Sequence, residues 1–167
     1  MSDAVTPETA DTIEPPARRT GGVKIVGTLG IVGGILLILV GAIAWIAVTN
    51  QLVAEDITIP DDAAAFQGQI VAGPFTAYVQ ADIINQHALE ASGGKTYAEL
   101  DQDDPVRGTV MNASFLRASL FTSVVAYGVA AFAAAIGVLS ILFGWALRRL
   151  AEAPVVVKRS AFAAPEA

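Results

Sequence analysis

Two long apolar blocks separated by a polar stretch set the pattern of this chain. The first runs from Ile25 to Val48, 24 residues without a charge. The second runs from Leu120 to Leu147, 28 residues without a charge, and is closed by Arg148 and Arg149. Some 20 residues of helix cross the ~30 Å hydrocarbon core of a bilayer, so each block is long enough to span a membrane. The expected layout is therefore a tail at 1–22, a membrane helix at 23–49, a polar loop at 50–119, a second membrane helix at 120–147 and a tail at 148–167. The expected fold class is an all-α integral membrane protein: a two-helix transmembrane hairpin with a mostly helical extracytoplasmic loop.

The flanking segments refine this outline. Residues 1–22 carry Pro, Thr, Asp and Glu with no apolar period, and such a stretch has too little apolar surface to offset its ordering entropy. A signal peptide is the competing reading of the first block, since basic residues precede it and Ala42-Ile43-Ala44 offers small side chains. Signal h-regions run only about 7–15 residues, which favours a retained span. Trp45 lies near the outer end, where an amphipathic ring suits the interface. The tail at 150–167 shows one apolar run, Val155–Val157, and otherwise little pattern.

Inside the loop, Ile57–Ile59 and Gln69–Val71 read as two short strands that could pair. Pro74 opens a helix near 74–91, stopped by Ser92-Gly93-Gly94. Phe75, Val79 and Ile83, with Tyr78 alongside, predict its apolar stripe. Thr96 and Glu99 have capping-box spacing around a short helical turn. Asp104 fits an N-cap, with Pro105 at the first helical position. From Pro105 onward Gly108 is the one breaker before the second block. A single helix of ~67 Å is therefore expected, about twice the hydrocarbon thickness.

Charge then fixes the expected orientation. Ten acidic residues lie in 50–119 against Lys95, Arg107 and Arg117, while the other seven Lys and Arg lie beside the blocks, in the terminal segments. Basic residues concentrate on the cytoplasmic side of membrane proteins, which places both termini in the cytoplasm, the loop outside, and the chain in the plasma membrane as a multi-pass protein. The net charge of −6 argues against nucleic acid as a partner, because phosphate backbones need a basic face.

The small residues of the two blocks are the candidate packing sites. Ser123, Ala130, Gly137 and Gly144 recur every seven residues, and Ser119, Ala126, Ala133 and Ser140 form a second series. The first block offers Gly27, Gly30, Gly34 and Gly41, with Ala44. Helices in lipid gain no hydrophobic drive toward each other, so small residues that allow close backbone approach build their interfaces. The seams predict either a tight helix pair or docking on helices of another subunit. Bulky Phe121, Phe132, Ile136, Leu139 and Phe143 avoid the seam.

Catalytic, cofactor-binding and metal-ligating constellations are not found in the sequence. No cysteine is present, which removes disulfides and thiolate metal sites. His87 is the one histidine and lacks the spacing of a zinc motif. The cluster Glu99, Asp101, Asp103 and Asp104 lacks the Gly and Glu positions of a calcium loop. Both blocks are free of Asp, Glu, His, Lys and Arg, the residues that line ion and proton pathways. No phosphate-binding loop, nucleophile elbow or dinucleotide fingerprint occurs.

The strings GPFTAYVQADIINQHAL, GGKTYAEL and DPVRGTVMNASFLRASLFTSVVAYGVA, within Gly73–Leu147, resemble a group of two-span actinobacterial membrane proteins often labelled aromatic ring-opening dioxygenases. The resemblance implies the two-span topology. The activity in that label requires a non-haem iron site, commonly two His and a carboxylate, which one histidine without cysteine does not supply. The expectation is a non-catalytic accessory or stabilising subunit of a larger membrane complex, a respiratory assembly being one host. Its partners would be the lipid bilayer and a membrane protein or a second copy of itself. The alternative is a ligand- or ion-sensing module outside the membrane.

Overall fold

The computed structural model describes residues 20–152, so most of both tails, including Val155–Val157, lies outside the described residues. Three helices account for most of it: α1, Thr20–Ala54; α2, Pro74–Ala91; and α3, Arg107–Glu152, with a 3₁₀ turn at Tyr97–Glu99 between the last two. No strand forms among the described residues. α1 and α3, of 35 and 46 residues, are each long and apolar enough to cross a membrane. Both exceed the apolar blocks. Thr20–Gly22, expected in a tail, already belong to α1, and α3 continues through Arg148 and Arg149 to Glu152.

α1 and α3 run antiparallel along the length of α1. At one end the backbone of Gly27 lies against that of Gly144, in the middle Gly34 lies against Gly137, and further along Gly41 lies against Ala130. Lys24 approaches Glu152 at 3.6 Å beyond the first of these contacts. That pair is exposed, and such pairs contribute little. The outward faces of both helices are apolar: Leu29, Ile43, Phe132 and Phe143 are all more than three-fifths exposed.

α2 stands alongside the first part of α3, also antiparallel. The Tyr78 ring meets Phe121 edge-on at 5.8 Å. Toward the other end, Ala88 and Leu89 share a cavity wall with Val110 and Ala113. The side of α2 that packs is built from Ala77, Gln80, Ala81, Ile83 and Ala88. This corrects the expected stripe in part: Ile83 is buried and Val79 packs half-buried against the core, but Phe75 is 75% exposed and Tyr78 is 54% exposed. Close approach selects the alanines, leaving Phe75 on the outside and Tyr78 at the edge of the contact, against Phe121.

The termini of α2 follow its local sequence. The Thr76 hydroxyl accepts from the N–H groups of Ala72 and Gly73 and donates to the Gly73 carbonyl, with Pro74 at the first helical position. Gly93 and Gly94 end it with φ of +68° and +85°, a region that glycine enters without steric cost. The expected strand pair is present only as an isolated antiparallel bridge between Thr58 and Ile70. Its bonds run from Ile59 N–H to Gln69 O and from Val71 N–H to Ile57 O, which buries Ile59 and Val71 against Ala77 and Ala81.

The start of α3 differs by two residues from the expected Pro105. Asp104 does cap, its carboxylate accepting from Val106 N–H at 2.9 Å. Pro105 and Val106 form a turn, and the helix proper begins at Arg107. Gly108 does not interrupt it.

Candidate functional site

The small-residue seams sort into two groups. The first is the core of the α1–α3 contact. A methyl group added at Gly27 would lie 2.7 Å from Gly144 O, one at Gly41 would lie 2.7 Å from Ala130 O, and one at Gly137 would lie 2.6 Å from Gly34 O. Gly34 and Gly144 face the carbonyls of Gly137 and Gly27 in return. Only glycine fits at such separations. Seven-residue steps on both helices bring these sites together, because a heptad repeat keeps one stripe facing its partner. Gly30 sits at the margin, 3.4 Å from Ser140 O, and Gly33 meets nothing. Ser123 is half-buried at the next step beyond Ala130.

The second group lies beside that contact rather than in it. Ala126, Ala133 and Ser140 are half-buried and Ser119 is exposed. Four and eight residues before Ser119, the same helical row continues through Phe115 and Met111, which are 65% and 37% exposed. Sequence spacing alone gave the two series equal weight; burial separates them.

Where the glycine contact ends, a polar knot begins. Tyr127 is 1% exposed, and its ring meets Trp45 edge-on at 4.6 Å. The hydroxyl lies 2.7 Å from the Thr49 hydroxyl and donates to the Ala72 carbonyl at 3.3 Å. One side chain of α3 thus ties together α1 and the segment leading into α2. Nothing in the sequence marked Tyr127 for this, since a tyrosine within an apolar block reads as one more aromatic.

The remaining polar groups have mostly structural partners. His87 and Asp62 meet at 2.7 Å on the surface, and the hydrogen bond from the imidazole holds the Asp62 carboxyl below its ordinary value. Glu99 accepts from both the N–H and the hydroxyl of Thr96 at 2.8 Å. Those bonds, the backbone one first, lower its pKa. Arg107 bonds the Leu100 carbonyl and lies 4.2 Å over the Tyr97 ring. Among the described residues no group of three or more His, Cys, Asp or Glu is placed to hold a metal.

Between α2 and α3 lies a cavity of about 280 Å³, lined in part by Asn85, Leu89, Tyr97, Val110, Ser114 and Arg117. A shallower groove continues from it past Ala118 to Phe121. Arg117 borders both. Its Nε is shut off from solvent with no hydrogen-bond partner, as is Oε1 of Gln80 on α2.

No protein-family model matches the chain, and no curated protein or solved structure shows significant similarity to it.

Proposed function

We propose that this is a non-catalytic two-span protein of the plasma membrane that serves as an accessory or stabilising subunit of a larger membrane complex. In this reading α1 and α3 form a transmembrane hairpin with both termini in the cytoplasm. The Lys and Arg asymmetry supports that orientation. From Arg148 to Tyr127 is 21 residue steps, ~32 Å of helix, which matches the hydrocarbon thickness. Trp45 and Tyr127 then lie at the outer boundary, where such rings are favoured. The segment between α1 and α3 rests on the outer surface.

The observation that carries the reading is the second small-residue seam on α3, which flanks the α1 contact. Its first series of small residues is consumed within the chain, against Gly27, Gly34 and Gly41. The second, Ser119, Ala126, Ala133 and Ser140, remains beside the contact and leads outward to Met111 and Phe115. A small-residue row in lipid that continues as exposed apolar side chains in water suits one further helix from a membrane protein. A respiratory assembly is one host, and a second copy of this chain is the simplest neighbour.

Native purification in mild detergent, followed by mass spectrometry, tests this. A stoichiometric membrane partner or a homo-oligomer, released by Ala133→Leu, is the expected result. Recovery as a monomer alone would overturn the proposal. A second reading, a ligand-binding module outside the membrane, is favoured by the cavity at Arg117.

A further inference from the structure

The cleft between α2 and α3 combines apolar walls with a single charge. Leu89 of α2 and Val110 of α3 both line its volume of about 280 Å³, and Arg117 borders it as well as the adjoining groove. None of the ten carboxylates of residues 50–119 lines either space. Among the described residues none lies within 4.0 Å of Arg117. The Arg117 Nε is enclosed by protein without an acceptor, so an incoming group would meet the two terminal nitrogens. A cationic donor shut off from water without an acceptor is costly. An anion on the terminal nitrogens would offset that cost by balancing the charge they share with Nε.

Height along α3 decides where such an anion comes from. In the proposed orientation Arg117 is ten residues above Tyr127 and Val110 is seventeen, ~15 and ~26 Å along the axis. A headgroup layer of ~5–8 Å ends below both, so the ligand arrives from water. The lining then decides its charge. The Ser114 hydroxyl already donates to the Val110 carbonyl at 2.9 Å, and the Thr96 hydroxyl to Glu99 at 2.8 Å. Arg117, Asn85 and the Tyr97 hydroxyl are the side-chain donors left in the lining. One cation balances one negative charge, and the end of a guanidinium matches the two oxygens of a carboxylate. A second negative charge would approach the Glu99 carboxylate, which is held against Thr96 in the same wall. Size follows from the apolar part. An apolar cavity of about 150 Å³ takes benzene, so 280 Å³ has room for six carbons and a carboxylate.

We propose that the cleft between α2 and α3 binds a small water-borne monocarboxylate, its head on Arg117 and its apolar body between Leu89 and Val110. This ligand class makes the second reading of the function specific and rests on it. It is independent of the accessory role, since a lone hairpin would bind such an anion equally well.

The test is methyl NMR of the full chain in phosphatidylcholine nanodiscs, with Leu and Val methyls labelled, titrated with hexanoate, hexanol or inorganic phosphate. Hexanoate should shift the Leu89 and Val110 methyls saturably. Hexanol, of the same chain length without the charge, should bind there about tenfold more weakly, the loss of one charge-assisted contact. Phosphate should leave both methyls in place. Arg117→Gln should weaken hexanoate about tenfold and leave hexanol unchanged. Lys95→Gln, the same charge change outside the cleft, should alter neither. The comparison of probes on the unaltered chain decides even where Arg117→Gln does not fold. Hexanol that binds as tightly as hexanoate, phosphate that shifts the same methyls as strongly, or hexanoate indifferent to Arg117→Gln overturns the monocarboxylate while keeping a ligand-binding cleft. Silence of both methyls toward all three probes overturns the cleft as a site, and the second reading with it.

Discussion

Alanine at Gly137 tests whether the glycine contact holds α1 and α3 together. The added methyl would lie 2.6 Å from Gly34 O, whereas ordinary contact begins at 3.4 Å, so the helices must part locally by about 0.8 Å. The obstructing atom is backbone and cannot swing aside. Overpacking of this kind costs about 1–3 kcal/mol. Against it stands the greater helix propensity of alanine, at most about 1 kcal/mol. Gly33→Ala isolates that second effect, because nothing lies within 4 Å of the methyl there. The difference between the two variants should therefore be about 1–3 kcal/mol, with Gly137→Ala the less stable. Unfolding in mixed micelles of rising dodecyl sulfate content, followed by Trp45 fluorescence in a Trp145→Phe background, measures it. Trp45 is a suitable reporter because it packs on Tyr127 across the same pair of helices. Gly137→Ala as stable as Gly33→Ala would show that the separation of α1 and α3 is not set by their glycines.

Three further outcomes follow from the polar contacts. Tyr127→Phe removes the bonds to the Thr49 hydroxyl and the Ala72 carbonyl while keeping the ring on Trp45; it should cost about 0.5–3 kcal/mol in the same titration and speed amide exchange in the segment before α2. The Asp62 carboxyl lies below its ordinary 3.8 when folded, so its contribution is complete above about that pH and is lost as pH falls through the lower folded value. The Tm difference between the parent chain and Asp62→Asn should accordingly shrink on acidification below 3.8; a gap that widens there would contradict the assignment. Arg107→Ala should loosen the 3₁₀ turn, seen as faster exchange at Tyr97–Leu100, because the guanidinium holds the Leu100 carbonyl and covers the Tyr97 ring.

What could be read from the sequence was whatever depends on local rules. Pro74 and Gly93 bracket α2 because one fixes φ and the other adopts a positive one. Thr96 and Glu99 meet because the spacing lets the Glu99 carboxylate reach back to the Thr96 N–H and hydroxyl. The length of α3 follows from the lack of a strong breaker after Pro105. Features that depend on which surfaces meet were not legible. The stripe of Phe75, Val79 and Ile83 obeyed helical spacing, yet only Val79 and Ile83 pack, beside the alanines, while Phe75 stays exposed, since what matters against a neighbouring helix is the distance of approach. Tyr127 joins positions 78 and 55 residues away, and no local period encodes such a contact. Arg117 stood out only as a charge near an apolar block; the cavity around it exists because α2 folds back along α3.

The division between the two small-residue series sharpens what a partner could use. Gly27, Gly34 and Gly41 saturate the face of α3 that carries Gly144, Gly137 and Ala130, and carbonyls already occupy the space a third helix would need. A neighbour must therefore approach from the flank, along Ala126, Ala133 and Ser140, without displacing α1. Bulk at the two places should then fail differently. Gly137→Leu drives a side chain into Gly34 O and the Ile38 side chain, so it should part the hairpin itself and lower stability even in the isolated chain. Ala133→Leu adds its side chain at a half-buried site on the flank, so it should cost the isolated chain clearly less than Gly137→Leu while releasing the partner. Native gels read the second effect and dodecyl sulfate titration the first. If both substitutions destabilised the isolated chain equally, the flank would be part of the hairpin's own packing, and no open seam would remain to carry an accessory role.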